Sequence, residues 1–203
     1  MKKRVTLMIL VLAALAVPAS AQQLFDFLGQ ADVPAAVGGS LSMYSIMADP
    51  APGTTPIALD FDNFQYTVVV TGLTLDADGP PTQTYSNGTV SIYEDNGTAA
   101  DYANLGTFTD GTAILVGNIT VLSRTMFTAT LGSAAGTMDW TGGTRLDDIA
   151  PVDQFGWAFL TGINASASNV EPGFDERWDG KIEPETPIVD VENVLWGSVK
   201  AMY

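Results

Sequence analysis

The stretch FQYTVVVTGLTLD, residues 64–76, carries the clearest period in the chain. Phe64, Tyr66, Val68 and Val70 fall on one side at a spacing of two. Gln65, Thr67 and Thr71 fall on the other, with Val69 among them. Alternation of this kind, rich in β-branched and aromatic residues, marks a strand with one buried face. DADGPP at 76–81 then breaks it, because glycine and paired prolines do not continue a hydrogen-bonded ladder.

The same pattern recurs on both sides. GTVSIYE at 88–94 reads as a second strand, and DNG at 95–97 as a turn. TAILVGNITVL at 112–122 alternates, with Leu115, Ile119 and Val121 on one face. SRT is expected to turn the chain, and MFTATLG at 126–132 to return as the other arm of a hairpin with Phe127, Ala129 and Leu131 in register. GTMDW at 136–140, FGWAFLTGI at 155–163 and GSLSMYSIM at 39–47 read as further strands, and TAADYAN at 98–104 as a helical turn or a loop. Short strands punctuated by Gly, Asp, Asn and Pro predict an all-β fold. The expected architecture is an antiparallel β-sandwich of jelly-roll or Ig-like kind, with a barrel as the alternative. The Gly-Thr dipeptide recurs without a fixed period, which argues against a solenoid.

The ends of the chain read differently. MKKRVTLMILVLAALAVPASAQQ opens with Lys2, Lys3 and Arg4, continues through an apolar run from Val5 to Val17, and reaches Ala19-Ser20-Ala21. A positive segment, an apolar segment and small residues in that order predict a secretory signal over 1–21, cleaved after Ala21. The run is shorter than the roughly 20 apolar residues of a bilayer span. The expectation is an exported protein, secreted or held at the cell surface, with no membrane span after cleavage. The β-domain is placed at 22–163 and an acidic, proline-containing connector at 164–189, which Phe174 and Trp178 would pin to it.

Residues 190–203 read as a short C-terminal α-helix. Asp190 is a good N-cap, Glu192 suits the first turn and Lys200 the last. Val191, Val194, Leu195, Val199 and Met202 form an apolar stripe, and Gly197 interrupts it at a cost of about 1 kcal/mol. A helix of about 13 residues is marginal alone in water. It therefore docks on its own domain or is presented as a tag to a surface or export apparatus.

Composition narrows the chemistry. The chain has 23 Asp and Glu against 8 Lys and Arg, a formal charge of −15. Such a surface repels nucleic acid and anionic lipid and attracts cations, calcium above all outside a cell. With no cysteine there is no disulfide, thiol nucleophile or zinc–thiolate site. With no histidine there is no Ser-His-Asp triad or imidazole metal site. A non-enzymatic protein is expected.

The block GTFTDGTAILVGNITVLSRTMFTATLGSAAGTMDWTGGTRLDDI at 106–149 resembles a segment of exported bacterial β-sandwich surface proteins, some of which carry C-terminal sorting tails. EPE at 183–185 is similar to the acidic-proline element of those tails, but no apolar span and basic terminus follow it. The resemblance implies a surface or extracellular location more than an activity, and not covalent anchoring; the role expected of the chain is structural or adhesive.

Three kinds of site are chemically open to this chain. Calcium needs six to eight oxygens from several groups. LDFDNF with Asp60 and Asp62, EDNG at 94–97 and LDD at 146–148 offer some, and DADG with Asp76 and Asp78 is the best pair. A glycan would stack on an exposed aromatic. Trp140, Trp157, Trp178 and Tyr102 are available, and Trp140, beside a glycine-rich loop, is the expected ligand-binding residue. A two-carboxylate glycosidase is chemically open without histidine, yet no acid spacing selects a pair. The Asn-Gly steps at 87 and 96 read as turn chemistry.

Overall fold

The computed structural model describes residues 23–49 and 54–184. Eight strands follow one another: β1 (Phe25–Asp32), β2 (Ser40–Met47), β3 (Gln65–Gly79), β4 (Thr82–Asp95), β5 (Thr112–Met126), β6 (Leu131–Gly142), β7 (Trp157–Asn164) and β8 (Glu176–Glu183). Each pairs antiparallel with the next, and β8 pairs back onto β1 to close a barrel. The all-β reading holds, and the sandwich is overturned in favour of the barrel. Alternation records only that one face of each strand is buried. It does not say whether that face meets a second sheet or the far wall of its own.

Closure rests on two strands that the sequence pattern conceals. In β1, Phe25, Phe27 and Ala31 face inward and are buried, but Leu28 and Gln30 blur the outer row. In β8, Glu176, Trp178, Gly180 and Ile182 face inward, so an acid and a glycine occupy core positions. The connector expected over 164–189 is therefore a strand over 176–183. Trp178 does pin it, with no exposed surface. Seven residue pairs, from Phe25↔Ile182 to Ala31↔Glu176, knit β1 to β8. A closed sheet leaves no edge to recruit other strands.

The expected hairpin turn also moves. β5 continues through Ser123, Arg124 and Thr125 to Met126, and the chain turns at 127–130. Phe127 stands in this turn, largely exposed. Arg124 is held on the strand by partners inside the barrel. Asn87-Gly88 is not a hairpin turn either. It lies within β4, opposite Gly72 of β3, with positive φ at both Asn87 and Gly72. Leu73 fills the space that a Gly88 side chain would take, its Cδ2 2.6 Å from where a Cβ would stand. This irregularity bends two long strands around the barrel. The helix expected over 190–203 and the signal over 1–21 lie outside the described residues.

The lumen is packed solid. Trp140, Trp157, Trp178, Tyr66, Tyr85, Phe25, Phe27 and Phe159 are all fully buried, and smaller residues such as Ala31, Ser45 and Ala134 fill between them. Each large apolar side chain buried this way contributes about 1.5–3 kcal/mol. Phe25 stacks on Trp157 at 6.0 Å and meets Trp140 edge-on at 6.2 Å. Loops carrying Ile57 and Ile149 cap this end. The outward rows of β4, β5 and β6 carry Thr84, Ser86, Thr89, Asn118, Ser123, Thr125 and Thr137. On these three strands hydroxyls stand among the outward positions, where a lipid-facing barrel carries an apolar band, although Leu28, Val121 and Leu131 are also exposed on the outer face.

Candidate functional site

The buried polar cluster stands at the other end of the lumen. Arg124 Nε donates to Glu176 Oε2 at 3.1 Å, and a second guanidinium nitrogen to Glu176 Oε1. Arg124 also donates to Gln83 Oε1 at 2.8 Å, which accepts the Tyr85 hydroxyl at 2.7 Å. Trp178 Nε1 donates to Glu176 Oε2 at 2.9 Å. The Arg124 and Glu176 side chains are 12 % and 2 % exposed. The charged ends of this cluster are turned on one another and Gln83 Nε2 on Asp78, so it seals the barrel and offers a ligand little.

The sequence-predicted sites fare as follows. Asp76 and Asp78 are both exposed near the tip of the β3–β4 hairpin. Asp76 sits at a bulge and has no cross-strand partner, while Asp78 Oδ1 accepts a bond from Gln83 Nε2 at 3.1 Å. Among the described residues no group of three or more acids is close enough to hold a metal ion. Four of the other candidate acids are engaged: Asp60 with Asn63, Glu94 with Tyr66, Asp148 with Arg145, and Asp95 with the Gly97 and Thr98 amides. Trp140 is 1 % exposed, so no sugar can stack on it where it stands. It packs against Phe25 and Trp157 because β6 turns every second residue inward, and position 140 falls in that row with Ala134 and Met138.

Tyr102, the remaining aromatic of that group, stands outside the barrel. The β4–β5 loop folds over β2 and β3. There Thr67 Oγ1 donates to the Phe108 carbonyl at 2.7 Å, and the Ala100 amide to Gln65 Oε1 at 2.7 Å. Tyr44, Tyr102, Phe108 and Phe174 pack as an outer aromatic pad, Tyr102 lying 5.0 Å from Phe108 and 5.7 Å from Phe174. Phe174 belongs to the β7–β8 loop. That loop is tied to β1 by Gln30, whose amide donates to the Asn169 carbonyl at 3.4 Å and accepts the Glu171 amide at 3.3 Å. Asp175 adds a bond to the Val33 amide at 2.9 Å.

Between these two loops runs a groove of about 560 Å³. Leu28, Ile46 and Ala48 line it from β1, β2 and the residue after β2. Tyr102, Ser168, Asn169, Val170 and Glu171 line it from the loops, and Arg177 from β8. Its size suits a small ligand, and an apolar floor with a few polar groups is the usual make-up of such a site. The Tyr102 phenol is pushed up to about 12, first by burial and then by the Glu171 carboxylate, with Arg177 pulling the other way. It therefore stays a neutral donor at physiological pH.

Two other concavities are weaker. One of about 510 Å³ lies over β6, β7, β8 and β1, but its Lys181 is paired with Glu183 at 2.8 Å. One of about 290 Å³ lies beside Asp62 and Asp95, where Asp95 is spent on turn amides. The Tyr102 groove is built by loops from distant parts of the chain, and no local motif announces it. Compared with protein-family models, curated proteins and solved structures, the chain matches none.

Proposed function

We propose that the chain is an exported, non-enzymatic protein of the cell surface or extracellular space, with a structural or adhesive role. The filled lumen carries this reading. A barrel packed with three tryptophans and several other aromatics has no interior for a substrate, so its contacts are made by its outer face and loops. The signal-like residues 1–21 and the formal charge of −15 support export and solubility. Antibody detection in fractionated source cells tests it: the protein belongs in the surface or medium fraction, and confinement to the cytoplasm would refute it. Residues 190–203 are the contact offered to a surface or export apparatus. Their deletion should misplace the protein and leave its melting temperature unchanged.

A second reading, a carbohydrate-binding module, is favoured by the Tyr102 groove, with its aromatic wall and hydrogen-bonding rim. Calorimetric titration with a panel of neutral and acidic oligosaccharides tests it, and a silent panel ends it.

A further inference from the structure

Among the described residues, three of the four cations are already committed. Arg124 holds Glu176, Arg145 holds Asp148, and Lys181 holds Glu183. Arg177 alone of the four has no carboxylate within ion-pair distance and no hydrogen-bond partner, although it is partly buried in the groove wall of a strongly acidic chain. The Tyr102 hydroxyl and the Asn169 side chain share the groove and are likewise without hydrogen-bond partners.

We propose that this groove binds a carboxylated sugar, a hexuronic acid residue of an acidic polysaccharide, with Arg177 taking its carboxylate. The proposal rests on the glycan reading and names the class of sugar. A guanidinium presents paired N–H donors that match a carboxylate in two parallel bonds. Covering a half-buried cation with a neutral ligand would strip its water and return no charge. The Tyr102 hydroxyl donates to ring or hydroxyl oxygens, Asn169 and Glu171 accept sugar hydroxyls, and Leu28 and Ile46 meet the C–H face of the ring. With Glu171 at the rim and Arg177 the single cation of the groove, one carboxylate is the charge the groove itself accommodates.

The test is calorimetric titration of the full chain with trigalacturonate and with a neutral galactose trisaccharide. Trigalacturonate should bind about tenfold or more tighter, the worth of one charge-assisted contact. Arg177→Gln should keep the parent melting temperature and erase that preference, trigalacturonate falling to no better than the neutral trisaccharide, and Tyr102→Phe should weaken both sugars. Equal or better binding of the neutral trisaccharide overturns the uronate assignment and leaves the glycan reading standing. Silence toward both overturns the two together. Undiminished uronate binding by Arg177→Gln places the sugar elsewhere and overturns the proposal. So would Leu28 and Ile46 methyl resonances that ignore uronate but move on deleting 185–203 or on dilution, since the groove would then hold the chain's own tail or a second copy.

Discussion

Arg124 of β5 and Glu176 of β8 meet across the lumen in a two-point ion pair, although β6 and β7 separate their strands in the sheet. The pair joins opposite walls of the barrel at the end where hairpins are shortest, and it places β8 in register with its acid inside. Glu176 satisfies Arg124 and the Trp178 indole at once.

Breaking this pair from one side should be costly. Glu176→Gln leaves a largely buried guanidinium without its counter-charge, and a loss of about 3–5 kcal/mol is expected. Replacing both partners, as Arg124→Met with Glu176→Leu, should recover part of that loss, because no buried charge is then left unpaired, while Trp178 Nε1 still loses its acceptor. Urea denaturation followed by circular dichroism measures both. A double variant no more stable than the single one would show that the pair does more than neutralise itself.

Alkali should unfold the barrel through its tyrosines. Burial, more than any other cause, pushes Tyr66, Tyr85 and Tyr102 up to about 12 from an ordinary value of 10.0. Between those values the folded chain holds phenol protons that the unfolded chain has released. Stability is complete below about pH 10 and falls as pH rises toward 12. Tyrosinate absorbance should show three phenols ionising late in buffer, and all six near 10 in strong denaturant.

The three lumen tryptophans should respond unequally to replacement by phenylalanine. Trp157 Nε1 donates to the Asp153 carbonyl at 2.6 Å and Trp178 Nε1 to Glu176. Trp140 Nε1 is buried with no hydrogen-bond partner. Trp140→Phe removes an unsatisfied donor, so it should cost about 1–2 kcal/mol less than Trp157→Phe or Trp178→Phe. Melting temperatures of the three variants check the order.

The seam between β1 and β8 should tolerate no added bulk. A Cβ on Gly180 would stand 2.8 Å from Phe27 Cζ and 2.7 Å from Thr161 Cβ. Gly180→Ala should destabilise by about 1–3 kcal/mol. Hydrogen exchange should report the loss first at the β1–β8 amides, since the closing strands give way there.

The amino-acid sequence by itself determined the strand character of 64–76, 88–94, 112–122 and 155–163, because alternation with β-branched residues is a local property that needs no partner. It also determined the acidity and the absence of thiol and imidazole chemistry. Tertiary structure decided closure, since whether β8 meets β1 depends on register between residues about 150 positions apart. It put Glu176 inside and made β8 legible only as the partner of Arg124. It buried Trp140 and left Tyr102 outside, a choice made by which face of which strand looks inward. The groove around Arg177 followed from two loops meeting over β1 and β2, and a contact between distant segments leaves no period in either one.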